Sequence, residues 1–426
     1  MQAEDIHHLE SILLFILVLV VGLAALARRF QTPYPIVLVI GGLAISLLPN
    51  VPHVALNPDV IFLVFLPPLL FAAAFHTSWR NFCQSLVTSS TMAFGLVGFT
   101  VVVVAVVTGH LLPGFDHRTG LVLGALVAST DAIAATAIAK RMGLPHRITD
   151  VLEGESLLND ATSLVALEFS VALLVSNTTP TLSAGALRLI SAVVGGVVIG
   201  VLAGVIIRWC QRRMTDVPLE ITLTLLAPYV SYLAAESAHT SGVLATVACG
   251  LVLGEHQSGS LSARARIDAS AVWNTLDFVL NGIVFTLIGL QLPYVLEGIH
   301  NVSPAELLLD ASILVILIIG LRLLWVFAAS WIPFAIRKWA KLPTVHPPVN
   351  ETFIVGWTGM RGVIALAAAL SLPQALDSGD AFPERDVLIF LTFCVILATL
   401  VAQGLSLPFI IRRFGPVAES ADSHSD

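Results

Sequence analysis

Charge is scarce in this sequence. Only 12% of its 426 residues are Asp, Glu, Lys or Arg, against 57% hydrophobic residues. Soluble domains carry roughly a quarter charged residues, so a soluble chain of this length would lack the polar surface it needs. The mean hydropathy of +0.91 points the same way. Basic residues form no patch, and no nucleic-acid partner is expected. Cysteine is limited to Cys83, Cys210, Cys249 and Cys394, with no C-x-x-C pair. These read as small apolar filler, not as disulfides or metal ligands. Lys and Arg are absent from residues 1–10, where Glu4, Asp5 and Glu10 stand. The basic n-region of a cleaved signal peptide is therefore lacking, and the first apolar stretch is read as a retained helix.

Apolar stretches fill nearly everything else. A helix that crosses a bilayer needs about 20 mostly apolar residues. Thirteen are expected, over residues 10–27, 33–49, 57–75, 84–109, 119–139, 150–176, 183–208, 217–235, 240–255, 270–292, 306–334, 350–371 and 386–411. The fold class is thus an all-α membrane protein, with one transmembrane domain over 1–415 and a short disordered cytoplasmic tail at 416–426. Sixteen of the 21 Lys and Arg fall in loops after odd-numbered helices. By the positive-inside rule those loops are cytoplasmic, which puts the N-terminus outside and the C-terminus inside.

Seven charges fall at membrane depth: Asp131, Glu155, Asp160, Glu168, Glu236, Arg322 and Arg361. Facing lipid alone, they would cost together on the order of 20 kcal/mol. They must instead face a bundle interior, pair, or contact water, and such residues commonly mark an ion or proton pathway. In 151–165, VLEGESLLNDATSLV, the residues Ser156, Asn159, Asp160 and Ser163 share one helix face. An oxygen-rich stripe on an apolar helix suits a hard monovalent cation; polar contact between helices is the plainer explanation for Asn and Ser. In 126–140, Ser129, Thr130 and Asp131 interrupt another apolar run. Such an interruption can be an unwound stretch facing a binding site.

Gly356, Gly359 and Gly362 bracket Thr358 and Arg361 in the twelfth helix. If helices 1–6 and 8–13 are two repeats, the fifth and twelfth are counterparts. The twelfth comes seven places after the fifth, an odd offset, so the repeats are inverted, and matched interruptions of that kind point to a transport site. Arg361, with Thr358, is placed to offset the negative end of a half-helix. Arg322 needs a partner, for which Glu155 is the candidate; a self-neutralising pair would lock helices together and not bind substrate.

The segments STDAIAATA, EGESLLNDA, AAESAHTSGVLATVACGLVLG, LNGIVFTLIGLQL and GMRGVIALAAALSLP, in this order, resemble the monovalent cation:proton antiporter family of the NhaP and mammalian sodium/proton exchanger type. The resemblance implies an NhaA-like fold with crossed, discontinuous fifth and twelfth helices, in a homodimer within the plasma membrane. It implies Na+ and proton binding at Asp131 and Asp160, with Thr130, Ser156 and Asn159 nearby, and a Glu155–Arg322 pair. No cofactor is implied beyond the transported ions. The Asn159–Asp160 sequence is similar to that of the electroneutral branch, which exchanges one sodium for one proton. One departure is Ala72, where many members carry Glu.

The expected function is exchange of Na+, or of Li+ or K+, for H+, in which cation and proton compete for the two aspartates. A cation sensor or channel-like module is an alternative. An intramembrane aspartyl protease is another, though its G-x-G-D sequence is absent.

Overall fold

The computed structural model describes residues 3–414, apart from residues 31, 49–59, 78, 80–87, 113, 176–181, 215, 258–260, 298, 300–302, 341–345, 347 and 377–378. The expected tail at 416–426, and Cys83, lie outside the described residues. Among the described residues there is no β-strand beyond one isolated bridge, Ala375 with Ala381.

The helices are α1 (Ala3–Arg29), α2 (Tyr34–Ser46), α3 (Ile61–His76), α4 (Thr88–Leu111), α5a (His117–Ala128), α5b (Ala132–Arg141), α6 (His146–Val175) and α7 (Leu182–Gln211). They continue with α8 (Val217–Ser237), α9 (Gly242–Glu255), α10 (Ala263–Leu290), α11 (Pro304–Trp339), α12a (Val349–Trp357), α12b (Val363–Leu370) and α13 (Arg385–Phe414). Among the described residues, nine spans are long and apolar enough to cross a membrane, with α5a and α5b counted together. The shorter α2, α3 and α9 and the broken α12 bring the apolar segments to the thirteen expected.

Two helices are interrupted, at matched places in the two halves of the chain. The fifth stops at Ala128 and resumes at Ala132; the twelfth stops at Trp357 and resumes at Val363. Local chemistry explains where each piece starts. Asp131 takes an extended backbone as the N-cap of α5b and accepts the Ile133 amide at 2.8 Å, which supplies a donor-starved first turn with an acceptor. Asp116 does the same for α5a, accepting from the Thr119 amide at 2.7 Å and its hydroxyl at 2.8 Å. Burial pushes the Asp116 carboxyl up, but these donors and Arg118 outweigh it and hold it below the usual aspartate value. At the end of α12a, the Thr358 amide donates to Ile354 O and its hydroxyl to Val355 O, which satisfies terminal carbonyls that have no helical partner.

Without a hydrophobic drive between helices in lipid, packing depends on small residues that let backbones approach. Gly124 places its Cα where a methyl group would lie 2.8 Å from the Val101 carbonyl oxygen, so α5a lies directly against α4. Gly42 does the same between α2 and α10, where a methyl would lie 2.6 Å from Thr286 O. The outward faces are apolar instead, as at Val18 of α1, Leu202 of α7 and Ile316 of α11, all exposed. They form the surface a bilayer would cover.

Candidate functional site

The two interruptions meet. The Asp131 amide donates to Met360 O at 2.8 Å, which joins the unwound stretch 129–131 to 358–362. Arg361 completes the joint. Its Nε donates to Val127 O, in the last turn of α5a, at 2.7 Å, and a terminal nitrogen donates to Gly359 O at 2.9 Å. A buried guanidinium thus sits on orphan carbonyls at the negative end of a half-helix. The Arg361 amide is held by Thr399 Oγ1 at 3.1 Å. Thr399 opens a π-helical turn, Thr399–Gln403, inside α13.

Beside this joint runs α6, which carries two separate polar systems. In one, Glu155 receives both terminal nitrogens of Arg322, at 2.5 and 2.9 Å. Both side chains are almost wholly buried. Thr130 Oγ1 donates to Glu155 Oε1 at 3.1 Å, and Asn159 Nδ2 donates to Thr130 Oγ1 at 2.7 Å. This chain of hydrogen bonds ties α6 to α11 and to the break in α5, and Arg322 also reaches Val355 O of α12a at 3.3 Å.

In the other, Ser129 Oγ donates to Asp160 Oδ1 at 2.5 Å, and Ser156 Oγ accepts the Ala132 amide at 3.4 Å. Ser129, Asp131, Ser156 and Asp160 line one cavity of about 300 Å3. Each of the two aspartates commits its Oδ1 to a donor of the protein. Among the described residues, neither forms an ion pair with Lys, Arg or His. The Glu155 charge is answered by Arg322; those of Asp131 and Asp160 are not. Two carboxylates, two hydroxyls and a cavity make a ligand set of hard oxygens, which suits a small monovalent cation or a proton.

The structure therefore divides the residues grouped in the sequence. Asp131, Asp160 and Ser156 line the cavity; Asn159 bonds to Thr130, Thr130 bonds to Glu155, and neither Thr130 nor Asn159 lines it. The Asn159 Oδ1 atom is buried without a hydrogen-bond partner. Ser163 turns its hydroxyl back to the Asp160 carbonyl of its own helix at 2.9 Å. Two of the seven charges placed at membrane depth lie elsewhere: Glu168 is exposed and pairs with Arg188 at 2.7 Å, and Glu236 is exposed near the end of α8. Sequence reasoning passed over Ser129 as a ligand of Asp160. It also passed over Asp277 of α10, which lines the same cavity beside Asn281, across from Ala72 and His76 of α3. The spacing of Asn274, Asp277 and Asn281 along one helix face was the available signal.

A family model described as "Sodium/hydrogen exchanger, transmembrane" matches residues 15–413. The chain belongs to this family. An uncharacterized Na+/H+ exchanger of Mycobacterium tuberculosis is 34% identical over 417 residues, which cover 95% of this chain and 75% of that protein. A sodium, potassium, lithium and rubidium/H+ antiporter of Bacillus pumilus is 33% identical over 423 residues, covering 95% of this chain and 62% of the relative. The solved structure of a sodium proton antiporter from Methanocaldococcus jannaschii superposes with a TM-score of 0.74, over 97% of this chain and 100% of that one, at 18% identity. That likeness establishes that the two chains share a fold.

Proposed function

We propose that this chain exchanges Na+ for H+ across the plasma membrane, by competition of cation and proton for Asp160 and Asp131. One observation carries the mechanism: the buried carboxylate of Asp160 and the part-buried one of Asp131 share a cavity with hydroxyl ligands and have no cationic partner among the described residues. An unpaired buried carboxylate is costly in its charged form, and a second one beside it adds repulsion. Either a proton or a sodium ion relieves the same cost. A site neutralised by one of them crosses the low-dielectric interior cheaply, whereas an empty charged site does not, and this couples the two fluxes.

The joint between the two breaks gives the site a rigid frame. Alternating access then moves that frame as a body against the rest of a homodimer embedded in lipid. The end of the bundle that carries Lys140, Arg141 and Arg147 is the cytoplasmic one on this reading. Exchange is one for one. Two acids of α6, Glu153 and Asp160, line the cavity, but Glu153 is matched by Lys140, Glu155 is held by Arg322 and position 159 is an amide, so Asp160 is the acid of α6 left uncompensated there among the described residues.

The test is transport by purified protein in proteoliposomes. A sodium gradient drives proton movement in the wild type, and Asp160→Asn and Asp131→Asn each abolish it while remaining folded, since Asn is near-isosteric but cannot exchange a proton. Wild-type flux in either variant removes that aspartate from the mechanism. Cation movement without proton countermovement establishes a channel-like module instead. A reversal point that stays fixed as voltage is imposed supports one-for-one exchange, and one that shifts with voltage refutes it. Substituting Li+ or K+ for Na+ in the same assay ranks the cations.

A further inference from the structure

The cavity extends beyond the two aspartates, toward α10 and the end of α3. Its wall there is mostly apolar, with Phe65, Leu66, Val284 and Phe285 among the lining residues. Asp277 stands in that wall and is part-buried. The buried amide of Asn281, one turn along α10, donates to Asp277 Oδ1 at 2.9 Å and fixes the carboxylate. Among the described residues, Asp277 forms no salt bridge. The charged and titratable groups that face it are few. His76 ends α3 and lines the same cavity, with its Nδ1 2.7 Å from Ala72 O. Lys140, at the end of α5b, is already matched to Glu153 of α6 at 2.7 Å. Asp131 and Asp160 lie in the same cavity. Across from Asp277, α3 offers Ala72, which carries no charge.

We propose that Asp277 is an outer cation-binding carboxylate, which draws the transported monovalent cation into the cavity and delivers it to Asp131 and Asp160. The physical basis is focusing. A cleft with low-dielectric walls and charges of one sign concentrates the opposite ion and raises its rate of entry. With α3 lacking an acid and Glu153 of α6 paired to Lys140 in the cavity wall, the uncompensated negative charge of the outer cavity comes from α10. Helix α10 is seated against α2 by the Gly42 contact, so the carboxylate sits on a rigid element.

The inference rests on the exchange reading above, and its test has two arms. In proteoliposomes, Asp277→Asn is expected to raise the KM for sodium about fivefold, with a much smaller change in the rate at saturating sodium. Asp277→Glu restores most of the loss. The gap between wild type and Asp277→Asn narrows as inert salt is added, because screening weakens the attraction of a partly exposed charge; a merely structural role would not give that dependence. In the second arm, sodium binding to the purified chain is measured by calorimetry. The Kd of Asp277→Asn is expected to be weaker by a similar factor, whether or not the protein exchanges protons. If the wild type fails to exchange, the exchange reading falls while the binding arm still judges Asp277. Unchanged KM and Kd in Asp277→Asn overturn the proposal. So does a complete loss of flux at saturating sodium, which would place Asp277 in the inner site.

Discussion

The amide of Asp131 donates to the carbonyl oxygen of Met360 at 2.8 Å, and this bond fastens the break in α5 to the break in α12. The chemistry of the site and the architecture that holds it therefore share a residue but use different atoms of it. The side chain of Asp131 faces the cavity; its backbone is the fastener.

Gly362 is the neighbour that keeps this arrangement open. A methyl group on it would lie 2.6 Å from both Cβ and Oδ2 of Asp131. Its backbone is in extended territory (φ −122°, ψ −167°), so alanine meets no backbone penalty there and the effect is purely steric. Gly362→Ala is expected to displace the carboxylate and lower sodium-driven proton flux at least about tenfold, as a small misplacement of a reacting group can. The melting temperature should fall only modestly. Wild-type flux in this variant would show that Asp131 tolerates displacement.

Glu155 and Arg322 form a buried bidentate pair, and removing one partner strands a charge, which costs about 3–5 kcal/mol. Glu155→Gln and Arg322→Gln should each lower the melting temperature sharply, and the double variant should recover part of the loss. Strictly additive losses would show that the two do not act as a pair. The single variants should also loosen Thr130 and Asn159, which depend on Glu155 for their positions.

Asp116 caps α5a outside the membrane segment, and its folded-state value lies below the ordinary one. Its contribution is therefore fully present above the unfolded aspartate value, near 4. It is lost as pH falls through the lower folded value. Asp116→Ala removes a cap, a class of change that costs about 0.5–2 kcal/mol in general. The difference in melting temperature between wild type and Asp116→Ala should be constant above about pH 5 and should shrink as the pH is lowered below about 4. A difference that grows on acidification would contradict the assignment.

Much of this was legible in the sequence because membrane burial makes polar residues informative. The break at 358–362 is written in Gly356, Gly359 and Gly362, and the break at 129–131 in three consecutive polar residues. The α6 stripe was legible as a stripe, but not which of its members share a cavity. Ser156, Asn159 and Asp160 are all spaced to share one face, yet Asn159 turns toward Thr130, which in turn bonds Glu155. A few degrees of rotation about the helix axis decide that, and periodicity does not resolve them. Asp277 was missed for a different reason. It stands in a run that is otherwise mostly apolar, and only its spacing with Asn274 and Asn281 marks it out. The π-helical turns in α3, α4 and α13 leave no distinct residue pattern, since each adds one residue to a turn of otherwise helical sequence.

The joint between the two breaks is made largely of main-chain atoms: the amide of Asp131 and the carbonyls of Met360, Val127 and Gly359. Nearly every substitution at positions 127, 131 or 360 leaves those groups in place. The crossing is thus robust to sequence drift at its own contact points, and its vulnerability is concentrated in one side chain, Arg361. A lineage of such proteins can vary its ion chemistry at position 131 without dismantling the crossing, but it cannot vary position 361 in the same way.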